Sequence, residues 1–372
     1  MTRRPDAGRY SPPRAERAGN ALRLRTPADV LGAIPFLLGY HPEDSLVALG
    51  LGGGRYAFAA RIDLPPTGAP ASHLREQVEY LTGVMMRQSV DGVLLVGYGS
   101  DARVRALTDE LTPAYERLGF QVREVLRAAG GRYWSYLCPN PTCCPPEGAA
   151  YDPYSSGVAA ECTVAGRTAL PDRATFEAQL SPIEGVARLG MTQAAARSDQ
   201  RLFDLLTHPP DEGSVYRLVL AASRDALSSA LGQIRRGERL TDDEVAWLAL
   251  LMTSYPLRDR AWARIDGDLA EVERHRTLWR DVMRRCQPDV LAAPASLFAF
   301  AAWRCGDGGL ARLALDRVLD LDPGYRMAGL LYEVIANGVP PSAMRGFPRF
   351  TRRSARRLRR RSKSGRGESR RA

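Results

Sequence analysis

The sequence predicts an α/β N-terminal domain with a mixed or partly parallel sheet, followed by an α-helical domain. Three features predict it. Two strand-like apolar segments flank a glycine run at residues 50–54, and strand and helix patterns alternate between residues 72 and 126. From about residue 172 the apolar spacing is almost wholly helical. A chain of 372 residues also exceeds one ordinary core, so two domains are the natural division. The expected boundaries are a disordered basic arm at 1–20, the α/β domain at 21–165, the helical domain at 166–345 and a disordered Arg-rich tail at 346–372.

In chain order, residues 22–25 read as a short strand leading into Thr26-Pro27-Ala28-Asp29. Thr26 suits a helix cap, Pro27 the first helical position and Asp29 the returning acid of a capping box. Val30, Leu31, Ile34, Leu37 and Leu38 follow at helical spacing, and Pro35 is expected to kink or end that helix. Residues 45–49 and 56–62 form a hairpin around the glycines. A helix at 72–88, a strand at 92–96, a helix at 101–118 capped by Ser100 and a strand at 121–126 then imply some parallel pairing.

In the second half, Thr241-Asp242-Asp243-Glu244 is a capping box ahead of Val245, Leu248 and Leu251. The apolar run 291–303 contains Pro294 and Ser296; it is too short to span a bilayer and reads as a buried helix. Trp303, Gly306, Ala311, Leu315 and Asp322-Pro323 sit as in one tetratricopeptide-like hairpin. A single copy reads as an ordinary helix–turn–helix within a bundle.

Hydrophobic residues at 45% and charged residues at 25% describe a soluble globular chain. The charged, Pro-rich start lacks the apolar core of a signal peptide, and six dispersed cysteines are no disulfide framework. A cytoplasmic location and no transmembrane segment are expected. The net charge of +10 is concentrated at the ends: residues 1–25 carry +5 and 349–372 carry +11, leaving the body at about −6. The run 349–372 suits non-specific nucleic acid, an anionic surface or an acidic partner, and equally a solubilising tail.

Gly97-Tyr98-Gly99-Ser100-Asp101-Ala102 follows a strand and opens a helix, as in a dinucleotide fingerprint built on Gly97, Gly99 and Ala102. The acid expected about 20 residues later is out of place, Glu124 being the nearest, so a tight strand-to-helix turn competes. His41, Asp44 and Ser45 place an imidazole, a carboxylate and a hydroxyl within five residues. They are catalytic candidates beside the rival reading of a helix-to-strand turn. Asp63, closing a strand, is a fourth candidate. His73, His208 and His275 read as solvated or locally bonded, and Arg258-Asp259 as a structural ion pair, with Asp307 one partner considered.

The stretch YWSYLCPNPTCCPPEG, residues 133–148, holds Cys138, Cys143 and Cys144. With Cys162 these are the metal candidates, although the spacing departs from the paired C-x2-4-C of structural zinc. Four prolines stiffen the loop without a metal, so buried packing thiols are the expectation. Metal binding and redox chemistry stay as alternatives.

Several segments together resemble a known family. Residues 26–65 (TPADVLGAIPFLLGYHPEDSLVALG through RIDLP), RYWSYLCPNPTCCPPEG at 132–148, RDRAW at 258–262, then TLWRDV and AFAAWRCGDGGLARLALDRVLDLDPGY at 299–325 are similar to the actinobacterial Domain of Unknown Function 4192. The resemblance spans about 25–340 and excludes both basic ends. It implies no catalytic residue, cofactor or partner.

Two function classes follow. One is a non-catalytic module whose helical half binds a protein partner while the basic ends supply electrostatic attraction. The other is an enzyme or small-molecule binder with a pocket between the halves near His41, Asp44 and the 138–144 loop. Without a Walker, zincin, triad or complete Rossmann signature, the first is preferred.

Overall fold

The computed structural model describes residues 24–53, 55–154, 156–164, 166–207 and 215–344. The basic arm, the tail from 346 and His208 lie outside the described residues. The chain begins with α1 (Pro27–Leu38), β1 (Ser45–Gly52), β2 (Arg55–Asp63), α2 (Ala71–Met86) and β3 (Gly92–Tyr98). Next come α3 (Asp101–Arg117), β4 (Gln121–Ala129), β5 (Arg132–Ser135), β6 (Ala149–Ala150) and α4 (Gly157–Val164). The helices α5 (Arg173–Ala178), α6 (Gly185–Thr207), α7 (Val215–Arg236), α8 (Asp242–Met252) and α9 (Tyr255–Ala263) follow. The last four are α10 (Leu269–Arg285), α11 (Ala292–Arg304), α12 (Gly308–Leu321) and α13 (Arg326–Ala336). A mixed sheet with helices is therefore followed by a mostly helical region. Among the described residues, no helix is long and apolar enough to cross a membrane.

Two compact units divide the chain, Met1–Ala69 with Asp91–Leu170 and Pro70–Val90 with Pro171–Ala372. In the first, six strands run in the order β2-β1-β3-β4-β5-β6. Among the six strands only β3 and β4 pair in parallel; β1 is antiparallel to both β2 and β3. All seven residues of β3 are buried, as expected of a strand covered on both faces. On one face Val47, Leu49, Leu94, Val96 and Leu126 pack under Val30, Leu31 and Ile34 of α1. On the other, Gly97 lets α3 approach: a Cβ there would lie 2.4 Å from a methyl of Val104.

Local chemistry sets the element ends. Thr26 and Asp29 form the expected capping box, and Gly39 closes α1 in the left-handed region (φ 87°), its N–H bonded to the Pro35 carbonyl. The helix continues past Pro35 instead of ending there. Leu24 and Arg25 lie outside any strand, correcting the expected strand at 22–25, whose first two residues are outside the described set. Ser100 occupies the N-cap of α3, yet its side chain makes no capping hydrogen bond.

The helical unit packs α10 against α11 and α11 against α12. Helix α11 is the predicted buried segment, with eleven of its thirteen residues buried. Thr241 and Glu244 form the predicted box on α8. The segment 72–88, placed by sequence order in the first domain, joins this second unit. Arg87 Nε donates to the Asn337 carbonyl at 2.5 Å, and the Gln88 amide donates to that of Gly338. Arg258 pairs with Asp259 at 2.6 Å and donates to the Tyr325 hydroxyl at 3.0 Å, whereas Asp307 pairs with Arg276. His275 is fully buried on α10 instead of solvated or locally bonded, and neither ring nitrogen has a hydrogen-bond partner.

Candidate metal centre

The loop between β5 and β6 is fixed by its flanks before its thiols matter. Arg127 stacks over the Trp134 ring at 3.6 Å, and Trp134 Nε1 donates to the Pro146 carbonyl at 2.9 Å. The Tyr136 hydroxyl donates to Asp101 at 2.7 Å, and Arg105 lies over its ring. Gly148 (φ 82°) closes the loop so near Trp134 that a Cβ would lie 2.6 Å from the indole. Ser135 Oγ donates to Glu124 at 2.7 Å and accepts the amide of Cys138 at 3.0 Å. These contacts hold both ends of a thirteen-residue segment without help from the thiols.

Within the loop, the Asn140 side chain accepts the amide of Thr142 at 2.9 Å, and the Asn140 carbonyl accepts that of Cys144 at 2.9 Å. This helix-like turn brings the side chains of neighbouring Cys143 and Cys144 onto one side. An extended chain would point them apart. The Cys138 and Cys143 sulfurs are 3.2 Å apart, and those of Cys143 and Cys144 are 3.8 Å apart. All three sulfurs lie within 4.8 Å of one another.

Cys143 is exposed and Cys138 and Cys144 are half-buried, which overturns the expectation of buried packing thiols. Mutual hydrogen bonding, first from Cys143, pulls the Cys138 thiol below its ordinary pKa. Burial, then hydrogen bonds to its two neighbours, push Cys144 up to about 12. Cys162 is not part of the group. It is buried between α4 and α1 with Ala33 and Val158, where burial raises its pKa.

The other candidates occupy the sheet end where β3 and β4 finish. Ser45 stands opposite both Asp63 and Tyr98 in register. Its hydroxyl donates to the Glu43 carbonyl at 2.5 Å and accepts from Arg61 Nη2 at 2.6 Å, while Arg61 pairs with Asp63 at 2.6 Å. Asp44 adopts φ 43° and binds the Arg103 guanidinium, which also reaches the carbonyls of Leu64 and Pro65. The His41 ring stacks on Tyr154 at 4.6 Å, and burial lowers its pKa. Among the described residues, no hydrogen bond joins His41 to Asp44 or Ser45. The structure thus brings Ser45 together with Asp63 through Arg61, and leaves the imidazole elsewhere.

Gly97 serves helix packing, and Gly99 admits Leu64, whose methyl would lie 2.7 Å from a Cβ at that position. The carboxylates of Asp44 and Asp101 flank the α3 N-terminus beside exposed Ala102. Both carboxylates are ion-paired, Asp44 with Arg103 and Asp101 with Arg105. Glu124, the displaced acid, is held by Ser135 and the Val125 amide.

The family model described as domain of unknown function (DUF4192) matches residues 27–342. The chain belongs to the DUF4192 family. No curated protein and no solved structure matches it. In this DUF4192 protein the three-thiol loop lies inside the matched region, and the two basic ends lie outside it. Asn140 and Ser135, which shape the loop, were not among the sequence candidates, and Glu124 was considered only as the acid of a dinucleotide fingerprint. Asn140-Pro141-Thr142 carried the one usable signal, that of an Asx turn.

Proposed function

We propose that this protein is a binding module whose first unit holds one zinc-class ion on the thiolates of Cys138, Cys143 and Cys144. The observation that carries this reading is the convergence of the three sulfurs within 4.8 Å on a braced loop. Tetrahedral zinc with bonds of about 2.3 Å sets its sulfurs about 3.8 Å apart, close to the spacing found here. Small side-chain rotations suffice to admit the ion. Three protein ligands leave a fourth position, and the exposure of Cys143 turns it towards solvent, where a side chain of a partner protein or water completes the shell. The neighbouring polar groups are already engaged, Glu124 with Ser135 and Tyr136 with Asp101, so ligation is the chemistry on offer. The run 349–372, at +11, adds non-specific attraction to phosphate polymers or anionic surfaces.

Protein purified without chelator should carry about one zinc per chain by elemental analysis. Cys143→Ser should reduce retention by more than about ten-fold, and Cys162→Ser should leave it intact. Metal below about 0.1 equivalent that zinc addition fails to restore would refute the assignment.

A further inference from the structure

The helical unit contains a second built feature, independent of the thiols. A cleft of about 400 Å³ opens where the first turn of α6 meets the end of α10 and the middle of α12. That volume falls in the range of small-molecule sites. Arg188 and Arg317 line it, with buried Cys286 and exposed Pro288 beside them and Glu184 also on its lining.

Both arginines are oriented by neutral acceptors. Arg188 donates to the carbonyls of Arg285 and Cys286, at 3.3 and 2.9 Å, and to Gln287 Oε1 at 2.6 Å. Arg317 donates once, to the Leu180 carbonyl at 2.9 Å. Among the described residues, neither has a carboxylate within ion-pair distance, and the other N–H groups of Arg317 have no protein acceptor. Most other half-buried arginines here have acids, Arg258 with Asp259 and Arg276 with Glu273 among them. Burial holds the Arg317 guanidinium below its ordinary value; Cys286 opposes that shift and repulsion from Arg188 adds to it. The α6 first turn adds the positive end of a 23-residue helix to the same wall.

We propose that this cleft binds a phosphorylated small molecule, with Arg188 and Arg317 holding the phosphate and the remaining volume taking the organic part. Two guanidiniums match a phosphate dianion in charge and offer the paired N–H geometry that its oxygens accept. A carboxylate uses only half of that charge.

The probe is inorganic phosphate, titrated calorimetrically into the full chain at constant ionic strength, with acetate as the comparison anion. Saturable phosphate binding is expected, weakened about ten-fold or more in Arg317→Gln, with acetate binding more weakly. The basic tail is the same in both proteins, so tail binding cancels in the comparison. Unchanged affinity in the variant, no saturable binding, or equal affinity for acetate would overturn the proposal. Should Arg317→Gln fail to fold, Glu184→Gln decides. Removing that carboxylate from the cleft should tighten phosphate binding, and unchanged or weaker binding would count against the site.

Discussion

The backbone carbonyl of Asn140 accepts the amide hydrogen of Cys144 at 2.9 Å, and this bond decides how two adjacent thiols point. It replaces the alternation of an extended chain with a helical turn, so Cys143 and Cys144 face Cys138 together. The predictions begin from this loop.

Oxidation should join Cys138 to Cys143 before any other pair. Their sulfurs are 3.2 Å apart and must close to about 2.05 Å, a shift that side-chain rotation supplies. Mild oxidant should consume two thiols, give a 138–143 disulfide by peptide mapping and abolish zinc uptake. A predominant Cys143–Cys144 or intermolecular disulfide would show that the loop is not held as described.

Gly148→Ala should loosen the same loop. The new methyl meets the Trp134 ring at 2.6 Å and must adopt φ 82°. A loss of about 1–3 kcal/mol in denaturant unfolding is expected, with weaker zinc retention although no ligand has changed. Full stability in the variant would mean that Trp134 does not brace the turn.

Asp44 combines a left-handed backbone with a partner, Arg103. Asn tolerates that backbone and Ala does not, whereas both lose the charge. Asp44→Asn should therefore cost under about 1 kcal/mol, the range of an exposed ion pair, and Asp44→Ala about 1 kcal/mol more. Equal losses would assign the effect to the ion pair alone.

His275 makes the helical unit acid-sensitive. Burial lowers its pKa to about 4, outweighing attraction from Glu271, while Arg264 and Arg274 lower it further. The unfolded chain binds its proton near pH 6.5 and the folded chain only near 4, so unfolding takes up a proton between those values. Stability is fully present above about pH 6.5 and falls as pH drops towards 4, by on the order of 3 kcal/mol. His275→Leu should flatten that decline and be at least as stable at pH 7, since it also removes two unbonded buried nitrogens. An unchanged acid profile would place the titration elsewhere.

Local signals were legible in the sequence. The boxes at Thr26 and Thr241 need only residues three apart, and both formed. The hairpin and the parallel β3–β4 pair followed from glycine placement and strand–helix alternation. Joining them through β1 and β3 was not legible, because that register rests on contacts between residues about fifty apart, such as Leu46 with Gly97. The helix at 72–88 was legible, but not the unit that it joins. Cysteine spacing departs from the paired motifs of structural zinc, and it carries no mark of the carbonyl–amide bond that gathers the three sulfurs within 4.8 Å. His275 misled for a related reason: an isolated imidazole carries no sequence mark of the apolar surroundings that later enclose it.

The position of α2 has a consequence for synthesis. Arg87 and Asn337 are 250 residues apart, so the ribosome releases α2 long before the turn that receives it exists. At elongation rates of about 5–20 residues per second, Arg87 and Gln88 wait roughly ten to fifty seconds for the carbonyls of Asn337 and Gly338. During that interval the end of α2 lacks the two acceptors that it has in the finished fold. A fragment ending near residue 170 would contain α2 and never supply the two carbonyls that receive its C-terminal end.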